Sequence, residues 1–171
     1  MKRFFLFIIL LTFTNLSLAE DKIVYLDVVY ILNESLAGKD LNKKLNAINK
    51  KNIEEFKKIE TEIKNEDNDL LKKKNILKED EYKMKIDNLR VKYKSFQDYM
   101  SKKNSDLNIL KDNSTKIILK NINDILAEYS LENSISLIIE KKNIIIGKSE
   151  LNVTNEILEL LNKKITKVKV N

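Results

Sequence analysis

The period of the apolar residues changes three times along this chain. At residues 22 to 28, KIVYLDV alternates, with Ile23, Tyr25 and Asp27 on one side and Val24, Leu26 and Val28 on the other. β-Branched and aromatic residues in that pattern predict a strand. VVYILNES (residues 28 to 35) predicts a short helical turn with Ile31 and Leu32 inward, and Leu36-Ala37-Gly38 permits a change of direction. From Lys39 onward the period is helical. Leu41, Leu45, Ile48, Phe56, Ile59, Ile63 and Leu70 mark one stripe, in which Asn52 and Asp67 fill two expected apolar slots. A second stripe runs from Tyr82 through Ile86, Leu89, Tyr93, Phe96, Met100, Leu107, Leu110, Ile118, Ile122 and Ile125 to Tyr129. Between Tyr82 and Met100 its steps alternate four and three, which is heptad spacing.

Each stripe is narrow and the remaining faces are charged. Such helices cannot enclose a thick core, and they suit a long antiparallel hairpin over residues 39 to 129. The turn is expected near residues 75 to 78, where Asn75 can adopt a left-handed conformation and Glu79-Asp80-Glu81 suits a helix N-terminus. One unbroken helix over this span would exceed ~130 Å, too long for one narrow stripe without partners. Polar interruptions at Asn52, Asp67 and Lys103 predict arms that bend.

After Tyr129 the strand pattern returns. SISLIIE (134 to 140) and NIIIG (143 to 147), joined by Lys141-Lys142, predict a β-hairpin. Thr154 reads as an N-cap, and Ile157, Leu158, Leu161 and Ile165 give a short amphipathic helix. A lone strand cannot satisfy its own N–H and C=O groups, so KIVYLDV is expected to pair with these late strands. Residues 20–38 and 130–171 then form one small β-rich body, and the helical arm is inserted between its halves.

The first residues set the compartment. Lys2 and Arg3, the apolar run Phe4 to Phe13 and Ser17-Leu18-Ala19 have the form of a signal peptide cleaved after Ala19. A membrane anchor needs ~20 apolar residues, and Thr12, Thr14, Asn15 and Ser17 interrupt this run too early. Removing Lys2 and Arg3 leaves 32 − 2 = 30 basic against 26 acidic residues, a mild excess. There is no Cys and no His. Thiol nucleophiles, imidazole bases and most zinc sites are therefore unavailable. No G-x-S-x-G or Gly-rich phosphate loop occurs either, so the pattern is not that of an enzyme and implies no cofactor.

Three segments in order resemble the Skp family, the OmpH-like periplasmic chaperones of Gram-negative bacteria. They are DKIVYLDVVYILNESLAGKDL after the signal peptide, KKKNILKEDEYKMKIDNLRVKY at the hairpin tip, and LAEYSLENSISLIIEKKNIIIGKSELNVTNEILELLNKK at the end. The family often has Pro where this chain has Leu36, and Asp where it has Glu140. The resemblance implies an α+β, mostly helical fold: a β-containing trimerisation body from which three helical hairpins hang around a cavity. It also implies an ATP-independent holdase that keeps unfolded outer-membrane β-barrel proteins soluble in the periplasm.

Candidate contacts follow. Lys72, Lys73, Lys74, Lys83, Lys85, Arg90, Lys92 and Lys94 would attract acidic clients, anionic lipid or lipopolysaccharide, or else form solvated faces. Residues 37 to 129 hold 22 basic and 17 acidic side chains, a modest positive excess that favours general steering. Tyr82, Tyr93 and Phe96 fit the hairpin seam, whereas Tyr99 lies off the main stripe and is the better client contact. Three short strands leave open edges, so Ile23, Tyr25, Ile135, Leu137, Ile139, Ile144 and Ile146 are expected in the trimer interface. Two other readings stand beside this one. A coiled-coil spacer or adaptor of the cell envelope would satisfy the heptads alone, but has no need to bring its two ends into one sheet. A nucleic-acid binder fits the basic balance but not export.

Overall fold

The computed structural model describes residues 21–169; the expected signal peptide, residues 1–19, lies outside them. The first strand, β1 (Lys22–Leu26), is shorter than its alternation suggests because Asp27 ends it. The Asp27 carboxylate accepts the Tyr30 N–H at 2.9 Å and caps helix α1 (Val28–Glu34). Val28 is thus the first residue of a helix, not the last of a strand.

Ser35 separates α1 from α2 (Leu36–Lys73). Its N–H continues to Ile31 O, and its Oγ accepts the Gly38 N–H at 3.1 Å, so one residue closes the first helix and caps the second. The two helices meet so closely that a Cβ on Gly38 would lie 1.7 Å from Leu32 O. Here the glycine is needed for its missing side chain. Helix α2 ends in a turn in which Ile76 and Leu77 N–H both donate to Lys73 O. Helix α3 (Glu79–Glu132) follows, with Glu79, Asp80 and Glu81 in its first turn, where the helix dipole favours negative charge.

Helices α2 and α3 form the long antiparallel hairpin. Phe56 stands edge-on to Phe96 (centroids 6.3 Å apart) and to Tyr99 (6.0 Å), and Glu66 pairs with Lys92. Ile63, Leu70 and Phe96 are buried in this seam, as is Asn52 at 5% exposure. At ~1.5 Å per residue, α2 is ~57 Å long and α3 ~81 Å. The extra length of α3 carries Ile122 and Ile125 past the start of α2 into the body, where they are buried with Ile118.

The chain then returns to its beginning. Strand β2 (Ile135–Glu140) lies parallel to β1, with Ile23 opposite Leu137 and Tyr25 opposite Ile139. Val24 and Leu26 point inward to meet Ile31, Leu41, Ile118 and Ile122. Helix α4 (Thr154–Lys164) closes the core with Ile157 and Leu161, both fully buried. Beyond it, Val168 is buried and its carbonyl accepts from Lys44 Nζ at 3.0 Å.

Three expectations are corrected. The run NIIIG is not a strand. Lys141–Asn143 and Ser149–Leu151 are 3-10 turns, and the chain between them crosses over Tyr25, where a Cβ on Gly147 would come within 3.1 Å of the ring. The free side of β1 is occupied instead by Val153, whose N–H donates to Tyr25 O at 2.9 Å. Thr154 does not cap α4 with its own hydroxyl; Asn152 Oδ1 accepts the Thr154 N–H. The Thr154 hydroxyl is used elsewhere, accepting the Asp27 N–H at 2.9 Å. Finally, Ile135 does not face outward. The pairing skips Ser136 between Lys22 and Ile23, which turns Ile135 to pack, with Ile138, against the chain's own core.

Candidate functional site

The arm satisfies its own seam and still exposes apolar side chains. On α3, Met84, Val91 and Ile109 are 58%, 65% and 55% exposed. They lie seven and eighteen residues apart, about two and five helical turns, so they share one face away from the buried Phe96. On α2, Ile53 and Leu71 are exposed, and Ile76 at the tip is 80% exposed. Single apolar residues off a heptad stripe are easily passed over in sequence. Their shared period on α3 is the signal that identifies them.

The aromatic rings exchange the places expected for them. Tyr99, which lies off the main stripe, is drawn into the seam by Phe56, edge to face at 88°. Lys103 Nζ sits 5.3 Å from the same ring centroid, a cation–π distance. Tyr93, which lies on the stripe, is 52% exposed. Tyr93 and Tyr99 lie three residues to either side of the buried Phe96, and it is on the Tyr99 side that Phe56 packs.

The basic residues do not form one positive face. Lys72 pairs with Asp69, Lys85 with Glu81, Arg90 with Asp87 and Lys92 with Glu66. Such exposed pairs contribute ~0–1 kcal/mol each, but they cancel long-range charge. Lys73, Lys85 and Lys92 come together along a groove of about 480 Å³ beside Leu70 and Leu89, but Glu66 and Asp69 line it too. Lys73, Lys74, Lys83 and Lys94 make no ion pair among the described residues. Lys73 and Lys74 flank the exposed Ile76 at the apex.

The body carries a second apolar surface. On the outward side of the two strands Ile23 is 43% and its partner Leu137 49% exposed, and the next outward pair, Tyr25 and Ile139, is half-buried. Next to Tyr25, Ile145 and Ile146 are 99% and 91% exposed and Ile144 is half-buried. Ile145 was not among the expected interface residues. The outer edge of β2 has no strand beside it among the described residues.

The OmpH-like outer membrane protein family model matches residues 22–161, from the first residue of β1 to the buried Leu161 of α4. The chain belongs to the OmpH-like family. A crystal structure of an OmpH-like protein from Caulobacter crescentus CB15, provisionally named an outer membrane chaperone, superposes with a TM-score of 0.81 at 15% identity. The match covers 88% of this chain and 89% of that one, so the OmpH-like fold is shared over nearly the whole length. No curated protein matches. Among the described residues of this OmpH-like chain, no helix is long and apolar enough to cross a membrane.

Proposed function

We propose that this OmpH-like protein is an ATP-independent periplasmic holdase for unfolded outer-membrane β-barrel proteins. One observation carries the reading: the arm's seam is complete within one chain, yet Met84, Val91, Ile109 and Ile76 stand exposed outside it. Apolar surface that the arm does not need for its own fold is available to a client. Such contacts are weak singly and add through multivalency, which suits a chaperone that must accept many sequences.

Three copies would join through the outward face of β1 and β2, with Ile23, Tyr25, Leu137, Ile139 and the isoleucines Ile144 to Ile146. A row of unpaired strand groups beside fully exposed isoleucines is a surface that natural proteins cover. The three arms would then enclose a cavity for the client. The tip, with Lys73, Lys74 and Lys78 around Ile76, would meet anionic lipid or lipopolysaccharide.

The test shortens the arm in register. Asn49 faces Asn104 and Asn108 across the seam, so replacing residues 51–103 by a short linker keeps Leu41, Leu45 and Ile118 in the core. The shortened protein is expected to stay folded and trimeric but to lose suppression of aggregation when a urea-denatured β-barrel protein is diluted. Retained suppression would overturn the arm-cavity reading. Failure of the full-length protein to suppress aggregation would favour an envelope spacer.

A further inference from the structure

Three grooves run beside the seam of the hairpin, and two of them are lined with charge. The groove near the tip holds Glu66, Asp69, Lys73, Lys85 and Lys92, and the one on the Ile48 flank holds Lys103 and Asp106. The third, of about 390 Å³, differs in kind. Helix α2 gives it Asn42, Asn46 and Asn49; helix α3 gives it Asn104 and Asn108. Leu45 and Leu107 form its floor, and Lys111 is its one charged residue.

The spacing is helical on both sides. Asn42, Asn46 and Asn49 follow steps of four and three, as do Asn104, Asn108 and Lys111, so each set presents one flank of its helix to the groove. All five asparagines are exposed to solvent. Each side-chain amide offers two donor hydrogens and an acceptor oxygen. The groove therefore displays paired donors and acceptors over an apolar floor, with Lys111 its single charge at one end.

Resting on the holdase reading, we propose that this asparagine-lined groove binds the extended backbone of an unfolded polypeptide. A peptide group is itself an amide and matches side-chain amides in both directions. Asn42 to Asn49 spans ~10 Å of helix, the length of about three residues of extended chain. Leu45 and Leu107 would take one apolar side chain of that segment. Backbone is the one feature every client shares, so such a contact is independent of client sequence and of salt.

The experiment uses the mature full-length protein and the triple variant Asn46→Ala, Asn49→Ala, Asn108→Ala. Alanine favours helix, so the variant keeps its fold, which circular dichroism checks. The probes are a short end-blocked peptide of alternating Thr and Val and the same peptide with alternate backbone nitrogens methylated. Binding is read by fluorescence anisotropy at high salt. The wild type is expected to prefer the unmethylated peptide, and the variant to bind it about fivefold more weakly, the size of one net neutral hydrogen bond. Methylation should cost the variant nothing further. Equal binding of both peptides by the wild type, no detectable binding of either, or an unchanged preference in the variant overturns the inference. Aggregation suppression is measured in parallel. Suppression without backbone preference removes the groove and leaves the holdase; backbone preference without suppression does the reverse.

Discussion

The hydroxyl oxygen of Thr154 accepts the backbone N–H of Asp27 at 2.9 Å and donates to Asn152 Oδ1, joining residues 127 positions apart. It secures the junction of β1 and α1 to the start of α4. Thr154 is buried, so Thr154→Val would leave the Asp27 N–H without a partner. Leaving one such group unsatisfied costs about 1–3 kcal/mol. A urea titration should show a lowered midpoint for Thr154→Val with an unchanged slope, and recovery in Thr154→Ser.

Gly38→Ala is expected to be more severe. Its Cβ would fall on the Leu32 carbonyl oxygen, and neither helix can move away without opening the Ser35 junction. Overpacking of this kind costs about 1–3 kcal/mol, and more where the obstacle is backbone. Thermal unfolding followed by circular dichroism should place Gly38→Ala well below Gly147→Ala. At Gly147 the added methyl meets the edge of the Tyr25 ring at 3.1 Å, and the ring can shift.

The proposed interface is tested at its most exposed point. Ile146→Lys places a charge where the assembly would bury an apolar side chain, and makes no new contact within the chain, since Ile146 is 91% exposed. Sedimentation should show a trimer for the wild type and a smaller species for Ile146→Lys, with helix content retained. A wild-type monomer at micromolar concentration would count against the trimer.

Salt should slow client capture more than it speeds release. Charges separated by more than ~8 Å are screened at physiological ionic strength, while apolar contacts are not. Lys72 is already paired with Asp69, so Lys73→Gln with Lys74→Gln should reproduce most of the tip's share of the on-rate. Stopped-flow mixing with a urea-diluted β-barrel protein across a salt series measures both rates. Complete loss of binding at moderate salt would make charge, not apolar contact, the holding force.

The helical hairpin was legible because its signal is local and repeated: steps of three and four, a charged exterior, and acidic residues at the start of α3. The turn fell between Lys73 and Glu79 as expected, but not through a left-handed Asn75: among the described residues other than glycine only Ser134 has a positive φ. Strand behaviour was legible only in part. β-Propensity describes a surface that suits pairing, and NIIIG has that composition, but the free side of β1 went to Asn152 and Val153. Thr154 has the composition of an N-cap, but its hydroxyl takes the Asp27 N–H at the other end of the chain and does not cap α4. The seam misled for a similar reason. Whether Tyr93 or Tyr99 enters it depends on which side of Phe96 the opposing Phe56 takes, which a heptad count does not contain. Asn52, expected to loosen the arm, is buried within it.

The parallel pairing of β1 with β2 also dictates an order of events as the chain folds. Leu26 and Ile135 are 135 − 26 = 109 residues apart, so the first strand to be made waits for a partner among the last. Closing a flexible loop of that length costs conformational entropy that grows with the logarithm of its size. Helices α2 and α3 need no such wait, since their contacts begin at the turn and zip toward the body. Each pair that forms shortens the gap, and by Leu41 and Ile118 the two ends are already neighbours. Weakening the seam, as by Phe96→Ala, should therefore slow formation of the sheet some distance away. Until the arms close, β1 presents Val24, Leu26 and an open edge to its surroundings. Such an unpaired strand would be the same liability that an unfolded β-barrel client would carry.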